Sequence, residues 1–252
     1  MEATTVWTEQ ITIKSSETDF QKRLKLSSFF EVMQDMASNH ADHLGLGYYV
    51  LAQRDLAWVL SRKKVRIFES PRMGEVVTLK TWPKGIQQKI FFMRDHEMTG
   101  EDGRPLAAST SAYVVVNLRT RRIAMPGTLD VIPPDNGGLS AIDEALEKIA
   151  PVEPLAECFC LQAGYSAVDV MGHVNNARYI EWISDCFGMA DYEQRRPAWL
   201  QINYLNEVVA GETVRLLRGQ RAEVPNAWYI TGIKEENGLK AFEAELGWEE
   251  LV

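Results

Sequence analysis

The sequence predicts an α+β protein built as two similar units in tandem. Three observations carry this. First, residues 26–44 place Leu26, Phe29, Phe30, Met33, Met36, Ala37, His40 and Leu44 at three- and four-residue steps, the spacing of one helix face. Second, runs of alternating or β-branched residues separated by turn signals follow that helix, as they do a second helical stretch at 175–189. Third, Gly74-Glu-Val-Val-Thr-Leu79 returns 137 residues later as Gly211-Glu-Thr-Val-Arg-Leu216. A Trp precedes each copy (Trp58, Trp199), and a turn glycine follows each (Gly103, Gly238).

In chain order, 9–15 is rich in Thr and Ile and reads as a strand. The helix 26–44 ends at Gly45 and Gly47. Strands are predicted at 55–68, 75–82, 88–98 and 105–118, parted by Pro71-Arg-Met-Gly74, Pro83-Lys-Gly85 and Gly100-Glu-Asp-Gly103. The first unit thus spans 1–128. A linker, 129–152, contains Pro133-Pro-Asp-Asn-Gly-Gly138 and a short helix at 140–149 that Pro151 ends. The second unit, 153–252, opens with a strand at 157–166 and its helix, then strands at 198–206, 212–224, 227–235 and 239–248. In each unit the sheet wraps its apolar face around its helix.

The 252 residues carry a formal net charge of −8, which disfavours whole-molecule attraction to nucleic acid or an anionic membrane. The three cysteines are too few for a disulfide framework. Cys158 and Cys160 are not expected to share a metal, and Cys186 reads as a core thiol. The N-terminus shows no secretory pattern, and no apolar run reaches bilayer length, so a cytoplasmic protein without membrane or nucleic-acid partners is expected. No Gly-x-Ser-x-Gly elbow, phosphate loop or dinucleotide fingerprint occurs. His40 and His43 lack a third ligand at zinc-site spacing. No metal or cofactor is expected.

The chemically dense stretch is Tyr165-Ser-Ala-Val-Asp169-Val-Met-Gly-His173-Val-Asn-Asn-Ala-Arg-Tyr-Ile-Glu-Trp182. Asn175 or Asn176 can cap the following helix. The helix N–H groups suit a carbonyl oxygen that becomes negative during acyl transfer, and His173 stands ready to polarise or protonate it. Glu207, at a strand end expected beside this helix, is a candidate base if partly desolvated. Basic clusters at Lys22-Arg23-Leu-Lys25, Arg62-Lys-Lys-Val-Arg66, Arg119-Thr-Arg-Arg122 and Arg195-Arg196 offer local patches for an acidic partner.

Asp169-x-x-Gly-His-Val-Asn-Asn-Ala-Arg-Tyr-Ile-Glu-Trp resembles the signature of hotdog-fold thioesterases, and nearly the whole chain resembles the acyl–acyl carrier protein thioesterases. The resemblance implies a tandem (double) hotdog, two long helices each wrapped by an antiparallel sheet. It also implies hydrolysis of fatty acyl-carrier thioesters within fatty acid biosynthesis and lipid metabolism. It assigns catalysis to the C-terminal unit, with Asp169, His173 and Glu207 catalytic, and it points to Gly172, Asn175 and Asn176 as substrate-binding. The chain departs from the family at Met171, where an Asn is frequent, and at Val208, where plant members carry a Cys. On this reading Glu207 activates water, His173 and helix N–H groups stabilise the oxyanion, and Asp169 holds the loop; the roles of Glu207 and His173 are interchangeable. The first unit has Glu17-Thr-Asp19-Phe-Gln-Lys-Arg-Leu at the matching turn and reads as non-catalytic, its helix lining an acyl-tail pocket or simply packing. Acyl carrier protein is the expected partner, bound through a basic patch, and the chain is expected as a monomer or homodimer. The alternatives are an acyl-coenzyme A thioesterase, a non-catalytic acyl-thioester binding module, and a dehydratase on the same fold.

Overall fold

A computed structural model describes residues 4–224 and 226–251. The chain divides into two compact units, Met1–Leu146 and Glu147–Val252.

The first unit contains β1 (Trp7–Thr12), α1 (Leu26–His43), α2 (Tyr48–Ala52), β2 (Leu56–Ile67), β3 (Val76–Gln87), β4 (Phe91–Gly100), β5 (Pro105–Asn117) and β6 (Arg122–Ala124). Its strands pair antiparallel in the order β1-β3-β4-β5-β2, with β6 on β5. α1 forms where the periodicity placed it, and Leu26, Phe29, Phe30, Met33, Met36, Ala37 and His40 are its buried face. It stops because Gly45 takes a left-handed φ of +72°, letting Leu46 N–H turn back onto Ala41 O at 2.8 Å.

The second unit contains β7 (Ala156–Gln162), α3 (Asn176–Asp185), α4 (Met189–Gln194), β8 (Arg195–Tyr204), β9 (Thr213–Gln220), β10 (Ala227–Lys234) and β11 (Lys240–Glu250). Its order is β8-β11-β10-β9-β7, all antiparallel. Each unit is therefore a helix against an antiparallel sheet, and the chain is a tandem hotdog of the α+β class.

Five expectations are corrected. No helix forms at 140–149. Ile142, Leu146 and Ile149 are buried there at helix-like spacing, but side chains satisfy the backbone: Lys84 donates to Ile142 O, Arg62 to Leu146 O and Gln201 to Glu147 O. The segment needs no helical ladder, and the boundary between the units falls within it, at 146/147, rather than after 128 or before 153. The second helix ends at Asp185, because Gly188 breaks it and caps the separate α4, where Asp191 Oδ2 accepts the Gly188 N–H. Pro83-Lys-Gly85 is no inter-strand turn; β3 runs through it on a bulge. The Trp echo also fails. At the 137-residue offset that aligns the strands, Trp199 matches Arg62, not Trp58.

The remaining echo extends to individual hydrogen bonds. Ile13 N–H bonds Glu75 O as Ala163 N–H bonds Glu212 O, both at 2.9 Å. Leu24 N–H bonds Pro71 O at 2.9 Å, and Val174 N–H bonds Val208 O at 2.8 Å. The chain is a duplicated unit.

Candidate active site

The loop entering α3 is built from its backbone outward. Asp169 N–H donates to His173 O at 2.9 Å, and Gly172 N–H returns to Asp169 O at 3.0 Å. Asp169 Oδ1 accepts Met171 N–H at 2.8 Å. Gly172 sits at φ +79°, where a side chain would be strained. The first unit makes the same loop before α1: Asp19 N–H to Arg23 O at 2.8 Å, Lys22 N–H to Asp19 O at 2.9 Å, and Gln21 N–H to Asp19 Oδ1 at 2.8 Å. Since Asp19 does this where no histidine follows, loop architecture is the part of Asp169's role that belongs to the fold.

Asn175 caps α3. Its Oδ1 accepts Ala177 N–H at 2.9 Å and its carbonyl accepts Arg178 N–H at 3.0 Å. These two amides of the α3 N-terminus, where the sequence suggests oxyanion donors, are therefore engaged by the cap. The cap instead fixes the side-chain amide of Asn175, whose Nδ2 makes no hydrogen bond among the described residues. Asn176 is the first residue of α3, and its carbonyl accepts from Tyr204 Oη at 3.0 Å.

His173 Nε2 lies 3.0 Å from Glu207 Oε2. Two features place Glu207. It stands three residues past β8, and its own carbonyl accepts from Lys234 Nζ at 2.9 Å. The next residue, Val208, is fully buried; its N–H meets Tyr179 Oη at 3.2 Å and its carbonyl takes Val174 N–H. Val208, at the position of the plant family's Cys, thus serves only to lock the Glu207 loop to α3 and to the His173 loop. The Glu207 side chain is 45% exposed and that of His173 18%, so Glu207 is about half desolvated in the open loop after β8.

Sequence reading missed three supports: Tyr179, Lys234 and Glu212. Burial pushes the Tyr179 hydroxyl above its usual range, so it stays neutral while holding Val208. Lys234 Nζ is 2.7 Å from Glu212 Oε1, and Glu212 Oε2 accepts Val209 N–H at 2.9 Å. Burial opposes ionisation of Glu212, but these contacts outweigh it and hold its carboxyl below the ordinary value. A signal for Glu212 was present in the Gly211-Glu-Thr echo of Gly74-Glu75, because Glu75 Oε2 accepts Arg72 N–H in the same way.

The other predicted features sit elsewhere. His40 is in the first unit, with Nδ1 accepting from Arg94 at 3.0 Å and Nε2 donating to Thr4 O at 2.9 Å. Cys186 is buried, with its Sγ 3.4 Å from Trp182 O. The basic clusters are largely engaged locally: Arg23 with Asp19, Lys64 and Arg66 with Glu144, Arg119 with Asp55, Arg195 with Asp191, and Arg196 with Glu249. They do not add up to the basic patch expected. The exposed surface of the site loop is apolar instead, with Tyr165 96% and Val170 81% exposed.

Residues 4–126 match the family model described as the acyl-ACP thioesterase N-terminal domain, and 159–250 match the acyl-ACP thioesterase C-terminal domain. A chloroplastic palmitoyl-acyl carrier protein thioesterase of Gossypium hirsutum is 27% identical over 80% of this chain and 52% of its own length. A chloroplastic dodecanoyl-[acyl-carrier-protein] hydrolase of Umbellularia californica is 24% identical over 96% of this chain and 67% of its own. The chain thus spans about half to two thirds of these relatives. A solved acyl-ACP thioesterase from Bacteroides thetaiotaomicron superposes with a TM-score of 0.86 at 25% identity, covering 97% of this chain and 98% of that one. With both of its units matched in order, this chain belongs to the acyl-ACP thioesterase family.

Proposed function

We propose that the chain hydrolyses fatty acyl–acyl carrier protein thioesters with an activated water, releasing free fatty acid and the carrier. The observation that carries this reading is the 3.0 Å contact between His173 Nε2 and Glu207 Oε2 at the entrance to α3. An ionised carboxylate only accepts, so Nε2 carries a proton, and the two groups act as one acid–base pair. Water attacks the thioester carbonyl carbon while the pair takes its proton. Asn175 Nδ2 donates to the oxygen as it becomes negative. Collapse breaks the C–S bond, and the pair returns the proton to the departing thiolate. Asp169 and Gly172 shape the loop, and Asn176 begins the helix that carries Asn175's cap.

The carrier protein meets the exposed Tyr165 and Val170 beside the loop; charge contributes less than the sequence alone suggested, because most of the clustered cations already have partners. The setting is fatty acid biosynthesis in the cytoplasm, although the named plant relatives are chloroplastic.

Thiol release from acyl-carrier and acyl-coenzyme A substrates of graded tail length tests this. Faster release from the carrier form, lost in Glu207→Gln, supports the proposal. Faster release from coenzyme A makes the chain an acyl-coenzyme A thioesterase. Tight binding with no thiol release makes it a binding module.

A further inference from the structure

The interior of the first unit is polar where that of the second is not. Lys63 of β2, Ser111 of β5 and Arg94 of β4 lie in one row of paired positions; Ser109 and His96 follow in a row two residues along. The duplication supplies an internal control. At the aligned positions the second unit carries Leu200, Leu246 and Trp228 in the first row, and Ala244 and Ile230 in the next. The fold therefore does not require polar groups there.

Lys63 is 1% exposed, yet its ammonium makes no hydrogen bond or ion pair among the described residues; it stands over the Phe30 ring at 5.0 Å. Arg94 bonds only the neutral partners His40 Nδ1 and Thr81 Oγ1, at 3.0 and 3.1 Å. The Asp95 carboxylate belongs to the opposite side of β4 and is taken by Lys84 and Ala141 N–H. Ser111 Oγ is buried without a hydrogen bond. Lys63 and Arg94 thus face α1 with no carboxylate beside them; burial pushes the Lys63 amine down to about 7, and an anion between the two would hold it protonated. Arg94 and Tyr113 are only half-buried, so each side chain keeps surface that the protein does not cover. Phe29, Phe30 and Met33 of α1 supply apolar walls.

We propose that the first unit holds the carboxylate of an aliphatic acid between α1 and its sheet, gripped by Lys63 and Arg94 and reached by the Ser111 and Tyr113 hydroxyls. The acid is either a free fatty acid or the distal carboxylate of an acyl tail. Both present the same head group on a methylene chain.

Calorimetric titration of the full chain with decanoate and with 1-decanol reads this without any turnover, so it stands or falls apart from the proposed hydrolysis. Decanoate is expected to bind at least tenfold tighter than 1-decanol. Lys63→Leu, which installs the second unit's residue, and Lys63→Met are each expected to erase that preference. Equal binding of the two probes by the unaltered chain, or a preference that survives in either folded variant, overturns the proposal. Kinetics then separate the sources. Inhibition of decanoyl-thioester hydrolysis by decanoate assigns the site to the free acid. Faster hydrolysis of the ω-carboxy analogue, lost in Lys63→Leu, assigns it to the acyl tail.

Discussion

His173 occupies in the second loop the place that Arg23 holds in the first. Both follow a loop-holding aspartate by four residues, and both precede the residue that pins the loop to the end of a neighbouring strand. Arg23 is fastened to Asp19, with Nε 3.2 Å from Oδ2, whereas His173 turns to Glu207. The residue aligned with Glu207 in the first unit is Ser70. One scaffold therefore carries a His–Glu contact in one copy and an Arg–Asp ion pair in the other.

This separates stability from turnover. Asp169→Ala removes the acceptor of Met171 N–H and is expected to cost about 1–2 kcal/mol and to disable the site. Asp19→Ala also removes the carboxylate that faces the buried Arg23 guanidinium and is expected to cost more, about 2–4 kcal/mol, while kcat stays within a factor of two. Urea unfolding with parallel thiol-release assays checks both, and loss of turnover in Asp19→Ala contradicts the account.

Cys186 is expected to take no part in the proposed chemistry. Its contact with the Cys158 thiol, together with burial, pushes its own thiol far above the usual range. Iodoacetamide at pH 8 is expected to modify the exposed Cys160 and spare Cys186, and Cys186→Ala is expected to keep full turnover. A tenfold fall in that variant, with the fold intact, restores a thiol mechanism.

Acid destabilises the first unit through His40. Burial lowers its folded pKa from 6.5 to about 4, aided by Arg94. The unfolded chain takes up a proton there before the folded one does, so stability is fully present above pH 6.5 and lost as pH falls towards 4, by up to about 3 kcal/mol. Urea midpoints between pH 7.5 and 4.5 measure the slope, which His40→Gln is expected to flatten; an unchanged slope removes His40 as its source.

Carrier recognition is expected to depend on the exposed apolar side chains of the loop. Tyr165→Ala with Val170→Ser should raise KM for acyl-carrier substrate five- to twentyfold and leave kcat and the reaction with acyl-coenzyme A within twofold. Equal effects on both donors place the two residues at the acyl group instead.

The duplication, the first helix and the His173 loop are legible in the sequence, because periodicity and the Asp–His-Val-Asn-Asn run are local signals; Glu207 lies outside that run and is singled out by its strand-end position and the family resemblance. The linker was misread because buried Ile142, Leu146 and Ile149 mimic a helix face, and only the tertiary fold shows side chains from the sheets satisfying their backbone. The Arg clusters looked like a patch because a one-dimensional reading counts cations but not the carboxylates that meet them in space. Lys63 was hidden in Arg62-Lys-Lys-Val-Arg66, where strand alternation buries it between two neighbours that bind Leu146 O and Glu144. Tyr179 and Lys234 carry no local signature; their work is to hold Val208 and the Glu207 carbonyl across the fold.

The most direct measurement is a double-substitution cycle in kcat with acyl-carrier substrate, using His173→Gln, Glu207→Gln and the combined protein. Two groups sharing one proton task lose it together, so each single change is expected to cut kcat at least a hundredfold and the combination little further. Losses that multiply, or near-normal turnover in either single variant, contradict the pair as the working unit.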